Sequence, residues 1–465
     1  MYRQKIETYF KEHREEFLAD LSRLVAVNSE RGEKEEGYPY GRGPAAALKE
    51  ALEIADRFGL HTENWENYLG IIELKADQER TLDIMAHLDV VPGGEGWTVT
   101  EPFVMKEEDG KVYGRGTSDD KGPALAAIYA LRAIKELGLP VEKNVRIMLG
   151  CDEECGSSEL DYYFAKTKPA EMTFTPDADF PVINVEKGHF SGVFTADFEA
   201  EETLPALRSF KGGVKSNVVP SKAEAQVEGL EENILSDAIE KVGKETGVAF
   251  SCEEREGCFH IFADGVSAHA STPEEGKNGI VALLLLLSEL PLKGDAAEKM
   301  RSLYQLFPYG DVNGKAAGIY LSDEESGQIT VSLDILNFDG KHLEAEFDSR
   351  TPICANDENL APVREAAEAA GLHFSGSLSK PHHVPADSDF VKTLLTCYEE
   401  YTGLEGKCLY TGGGTYVHGI ENAVAFGCCM PGEETRMHGP DERISVETLL
   451  TSGMIFTEAV ARLCR

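Results

Sequence analysis

Leu82-Asp83-Ile84-Met85-Ala86 is a short apolar strand, and an Ala/Leu-rich helix at 123–137, closed by Gly138 and Pro140, separates it from a second buried strand at 145–149. This strand–helix–strand order predicts an α/β layer on a mixed, largely parallel sheet flanked by helices. Upstream, residues 6–27 carry apolar side chains at helical spacing, and 44–58 reads as another helix ending near Gly59. The middle of the chain reads differently. Strands are expected at 188–200, 223–230 and 257–262. Ser271-Thr272-Pro273-Glu274-Glu275 reads as a helix start, with a capping hydroxyl, a proline in the first turn and acids at the positive dipole end. That helix is expected to run to about residue 290. After Pro381-His382-His383-Val384-Pro385 a helical pattern returns at 390–401. The expected organisation is one domain formed by 1–186 and 382–465, with an α+β domain at 187–381 inserted into it.

The chain has 465 residues, with 45 Lys plus Arg against 82 Asp plus Glu, a net charge of −37. Such a surface repels phosphate backbones and anionic membranes, so neither nucleic acid nor a membrane is expected as a partner. Hydrophobic residues at 42% and charged residues at 27% are ordinary globular usage. Met1-Tyr2-Arg3-Gln4-Lys5 runs into a charged amphipathic pattern and not an apolar signal core, and the longest apolar run, Ile280 to Leu287, is too short to span a bilayer. A cytoplasmic protein is expected. The ten cysteines are scattered without a repeated Cys-x-x-Cys pair, as reduced thiols would be.

Several motifs carry chemistry. His87-Leu88-Asp89 closes the first strand, and residues two apart on a strand face the same side, so an imidazole and a carboxylate can act together. Ser118-Asp119-Asp120-Lys121-Gly122 exposes two adjacent carboxylates just before a helix. Asp152-Glu153-Glu154 follows the second strand, at the end where open α/β sheets place ligands. Pro176-Asp177 adds another acid, and Met437-His438-Gly439-Pro440 a distal histidine in a Gly/Pro loop. Taken alone, most of these read as a cap, a core histidine or a solvated loop, and only the Asp152-Glu153-Glu154 run is evenly balanced. Together they form a mixed N/O donor list that suits zinc, manganese or cobalt better than calcium.

In this order the motifs resemble the aminoacylase/carboxypeptidase-G-like dimetal hydrolases, and among them the PepV-type dipeptidases. The resemblance extends through Ser216-Asn217, Ala268-His269-Ala270, Ser349-Arg350 and Thr411-Gly412-Gly413-Gly414-Thr415. It implies two divalent ions per subunit, zinc first, with manganese or cobalt as alternatives. Asp119 would bridge them, His87 and Asp177 would complete one ion's ligands, and Glu154 and His438 the other's. It further implies Asp89 orienting His87, Glu153 as general base, and a cis peptide between Asp119 and Asp120. Residues 187–381 would be the lid. From that lid His269 would stabilise the oxyanion, Arg350 would grip a free C-terminal carboxylate in bidentate fashion, and Asn217 would contact substrate. Gly413 and Thr415 would also contact substrate, the glycine run letting backbone N–H groups approach it. The size of the insertion implies a monomer. The expected activity is hydrolysis of dipeptides and short peptides with a free carboxylate. A deacylase or carboxypeptidase acting on N-acyl amino acids is the alternative with the same metal site. A catalytically dead scaffold is disfavoured, because Glu153 and every metal-binding position are retained.

Overall fold

The strand expected at 82–86 runs from Arg80 to His87, and the one at 145–149 from Asn144 to Gly150. They pair in parallel, with Asp83 opposite Arg146 and His87 opposite Gly150. The computed structural model describes residues 2–465; Met1, the first residue of the N-terminal pattern, lies outside the described residues. The architecture is mixed α/β. The chain divides into two units, the first comprising 1–185, 383–409 and 414–465, the second 186–382 and 410–413.

In the first unit the sheet runs in the order His61–Trp65, Leu69–Glu73, Asn144–Gly150, Arg80–His87, Met172–Thr175, Ala423–Ala425 and Val182–Glu186. The inner pairs are parallel and the outer ones antiparallel. Asn144–Gly150 is buried along its whole length, as a strand covered on both faces must be. The helix Lys121–Leu137 buries nearly its full circumference and packs against Val446–Leu463, the C-terminal helix of the chain. Gly138 in the left-handed region ends the former, as expected. The single helix expected at 6–27 is two, Arg3–Glu12 and Arg14–Val25. His13 leaves helical geometry, yet both pieces bury the same apolar stripe, so the periodicity runs through a break it cannot register. The helices expected at 44–58 and 390–401 are Arg42–Arg57 and Asp389–Thr402, the latter capped by Ser388.

The second unit is α+β. Its eight-stranded antiparallel sheet has the order Ala249–Arg255, Cys258–Asp264, Lys222–Glu228, Ala206–Gly212, Thr330–Phe338, His342–Thr351, Gly188–Asp197 and His373–Ser379. Helices including Glu232–Thr246, Gly279–Glu289 and Asp295–Leu306 build a separate core on it. The helix expected to start at Ser271 begins later. Pro273–Glu275 forms one 3₁₀ turn, Gly276 is extended, and Lys277 exchanges backbone hydrogen bonds with Val266. Asn278 then accepts from the Val281 N–H and caps the helix proper. A sheet-type partner for residue 277 and a better cap downstream override the early start signal. No helix among the described residues is long and apolar enough to cross a membrane.

The parallel pair at the centre of the first unit carries a buried ion pair. Arg146 donates from Nε to Asp83 Oδ1 at 2.8 Å and from Nη2 to Oδ2 at 2.5 Å, and both residues are 0% exposed. The Ala170 N–H also reaches Asp83 Oδ2, at 2.7 Å. Removing one partner of such a pair strands a charge away from water. Asp83→Ala is expected to cost about 3–5 kcal/mol, read as a lowered denaturation midpoint, with Asp83→Ala/Arg146→Met recovering most of it. Equal midpoints for single and double variants would contradict this account.

Candidate metal centre

The expected ligands converge in the first unit, where the parallel strands end. His87 is the last residue of its strand. Asp119 and Asp120 precede the helix Lys121–Leu137, joined by a cis peptide. Glu153 and Glu154 lie in a 3₁₀ turn after Asn144–Gly150, and Asp177 between Met172–Thr175 and Ala178–Asp179. His438 comes from the loop ahead of Arg443–Ser445. Asp119 turns one carboxylate oxygen toward each histidine: Oδ1 is 2.9 Å from His87 Nε2 and Oδ2 is 2.8 Å from His438 Nε2. Asp177 Oδ2 lies 3.6 Å from His87 Nε2, and Glu154 Oε1 3.3 Å from His438 Nε2. Donor atoms of His87, Asp119 and Glu154 all fall within 4.8 Å of one another, as do those of His87, Glu153 and Asp177.

The electrostatics call for a cation. Burial pushes the Glu153 carboxyl up to about 9, against the pull of His87 and with Asp177, Asp119 and Glu154 adding to it. Glu154 and Asp177 are raised by the same causes, burial first. His438 is driven up to about 10 by Asp119 and Glu154. For His87 burial favours the neutral ring, but Asp119, Asp177 and Asp89 override it and raise its pKa. Asp119, between the two imidazoles, is held below its ordinary value despite burial. Glu154 Oε1 and Asp120 Oδ1 are buried and make no hydrogen bond. Oxygen and imidazole donors crowded this closely, with orphaned carboxylate oxygens, fit divalent ions of the zinc, manganese and cobalt type.

The residues behind these donors were less legible. Glu442, fully buried, accepts the N–H groups of Gly116, Ser118 and Asp119 and the Ser118 hydroxyl on Oε1, and Arg115 binds its Oε2 at 2.6 Å. It holds the loop that presents Asp119, and only its place four residues after His438 hinted at this. The His87 Nδ1–H has the backbone oxygen of Asp89 at 3.0 Å, nearer than that residue's carboxylate at 3.5 Å. The Asp89 carboxylate accepts the Glu153 and Glu154 N–H groups at 3.2 and 3.1 Å, so it anchors the turn as well as facing the ring. Glu159 accepts the Asp152 N–H and the Tyr416 hydroxyl. Gly150 leaves room for that hydroxyl: a Cβ there would come within 1.8 Å of it. Thr415, expected as a substrate contact, immediately precedes Tyr416, and its carbonyl accepts the His418 N–H at 3.1 Å.

In the second unit Asn217 and His269 share a short ladder. Val218 pairs with His269, and the Ala270 N–H donates to Asn217 O at 3.0 Å. The Ser271 N–H donates to His269 Nδ1 at 3.1 Å, so the ring proton sits on Nε2. Gly412 packs against Ser271, where a Cβ would come within 2.6 Å of the serine Cβ, and its carbonyl accepts from Arg350 Nη1 at 2.6 Å. The glycine run thus serves packing at Gly412. The Gly413 N–H is taken by Thr411 Oγ1 at 3.0 Å. Arg350 is engaged through Nε by Asp348 and through Nη1 by Gly412 and His189, which leaves Nη2 as the guanidinium nitrogen with no acceptor among the described residues.

A model of peptidase family M20/M25/M40 matches residues 84–462. The chain belongs to this family. It is a metallopeptidase. The Bacillus subtilis (strain 168) protein YtjP is 33% identical over 459 residues, covering 97% of this chain and 98% of its own length. The Beta-Ala-Xaa dipeptidase of Lactobacillus delbrueckii subsp. lactis is also 33% identical over 459 residues, covering 96% of each chain. Among solved structures, human carnosine dipeptidase 1 shares the fold with a TM-score of 0.57 at 15% identity, over 99% of each chain.

One buried acid of the M20 chain gives a pH signature. The Glu159 carboxyl is raised from 4.5 to about 7 by burial, with Asp89 and Asp152 adding to it and the Tyr416 hydrogen bond opposing. A raised carboxyl favours folding in its neutral form, so its contribution is whole below pH 4.5 and is lost as pH rises to about 7. The loss is roughly 3 kcal/mol. Glu159→Gln in metal-free protein is expected to flatten the decline of melting temperature across that window. A slope equal to wild type would exclude Glu159 as its source.

Proposed function

We propose that the chain is a dinuclear metal dipeptidase that hydrolyses dipeptides and short peptides with a free C-terminal carboxylate. The observation that carries this reading is the Asp119 carboxylate, with one oxygen toward each of two imidazoles and a further acid beside each. His87 and Asp177 would hold one ion and Glu154 and His438 the other, with Asp119 serving both; zinc is the first candidate, with manganese or cobalt as alternatives. The ions, when bound, acidify the attacking water and polarise the scissile carbonyl. Glu153 takes the water's proton and, once protonated, returns it to the leaving amine; bound cations would keep its carboxyl ionised for the first step, against the burial that raises it in their absence. Asp89 keeps the Glu153–Glu154 turn in place. His269 donates its Nε2–H to the oxyanion, consistent with the tautomer that Ser271 imposes. Arg350 holds the carboxylate, and Asn217, Gly413 and Thr415 line the substrate. A relative named as a Beta-Ala-Xaa dipeptidase supports the substrate class. The enzyme works as a cytoplasmic monomer, residues 187–381 acting as the lid of its own reaction.

Glu153→Gln is expected to lose about 10²-fold or more in turnover on unblocked dipeptides while metal content, measured by elemental analysis, persists. Asp119→Asn is expected to lose metal and activity together. Near-normal turnover of metal-loaded Glu153→Gln would remove Glu153 from the mechanism, and preferential turnover of N-acyl amino acids would replace the dipeptidase reading. A mixture of Glu153→Gln and His269→Ala is expected to stay inactive; recovered activity would mean that catalysis draws on two chains.

A further inference from the structure

The aim of Arg350 depends on a residue that the reaction has not yet used. In the second unit's sheet His189 lies opposite Arg350 on one side and opposite Ser379 on the other. Arg350 Nη1 is 2.7 Å from His189 Nε2. A guanidinium carries only donors, so Nε2 accepts and the imidazole proton sits on Nδ1. Nδ1 faces Asp348 Oδ1 at 3.4 Å, while Asp348 Oδ2 accepts from Arg350 Nε at 2.8 Å. The three side chains close a ring in which each proton has an acceptor. Nη1 spends its two protons on His189 and Gly412 O, and Nε spends its own on Asp348. Nη2 has no acceptor among the described residues. The arginine is 4% exposed and cannot turn freely, so the direction of that one nitrogen is set by its neighbours.

We propose that His189 is a specificity-determining positioning residue: as a neutral imidazole braced by Asp348, it fixes the Arg350 guanidinium so that Nη2 alone meets the substrate's terminal carboxylate. This rests on the reading that Arg350 binds that carboxylate. Charge is not what His189 supplies, since a neutral ring adds none. It supplies an acceptor at a fixed place, and with it a preference for a free acid over the same peptide ending in an amide.

The test compares kcat and KM for one dipeptide and its C-terminal amide in metal-loaded wild type, Arg350→Ala, His189→Leu and His189→Gln. Arg350→Ala is expected to erase the free-acid preference. His189→Leu, without an acceptor, is expected to raise KM for the free acid about 10-fold, with kcat within about twofold and little change for the amide, the size expected for one hydrogen bond to a charged group. His189→Gln places an amide oxygen toward Nη1 and an N–H toward Asp348, and is expected to restore KM to within about threefold of wild type. An unchanged free-acid KM in His189→Leu, an equal defect in His189→Gln, or an equal fall in kcat on both substrates would overturn the proposal. A free-acid preference that survives Arg350→Ala would instead overturn the carboxylate reading beneath it. Melting temperature and metal content of each variant, expected to match wild type, separate these outcomes from misfolding; a His189→Leu defect that tracks a lowered melting temperature would also count against the proposal.

Discussion

Asp119, itself buried, must hold one carboxylate between two imidazoles, and the first unit is organised around that demand. Three further acids crowd the same volume, and without a cation their burial first, and then their mutual repulsion, pushes protons onto them. A folded chain that keeps Asp119 ionised beside them has to fix it from behind. Glu442 does so by collecting the backbone N–H groups of its loop, and the helix Lys121–Leu137 buries the loop's exit. Exchange of protons for cations at such a cluster couples the stability of this region to metal supply.

The two units divide the chemistry by architecture. Donors with irregular geometry sit on loops at the ends of parallel strands, where neighbouring side chains such as Glu153 and Glu154 can diverge. The groups proposed for recognition sit on antiparallel ladders, where register sets who faces whom: Val218 with His269, and His189 with Arg350. Loops give the freedom that a carboxylate facing two imidazoles needs, and ladders give the fixed spacing that a hydrogen-bonded network needs.

Much of this was legible in the sequence because it is local. Apolar runs of strand length on either side of an Ala/Leu-rich helix gave the parallel pair, and the acids at the ends of those runs, taken together with the two histidines, gave a donor list. What escaped was set by distance or by competition. Glu442 looks like one more surface acid in a Gly/Pro loop, and its partner Ser118 is 324 residues away. His189 occupies an ordinary polar position of an alternating strand, and its meaning comes from Arg350, 161 residues on. The Asp89 carboxylate pointed to the His87 ring by spacing alone, while the N–H groups it accepts belong to a neighbouring strand's exit. The break at His13 and the late start at Asn278 are cases in which one residue's backbone partner outweighs a correct periodic pattern.

The position of Glu442 and His438 has a consequence for how the molecule comes into being. Both follow the loop they complete by some three hundred residues. A ribosome releasing this chain therefore exposes His87, Asp119 and Glu154 long before the groups that secure them exist. A chain truncated ahead of residue 438 therefore lacks the second imidazole that the Asp119 carboxylate faces.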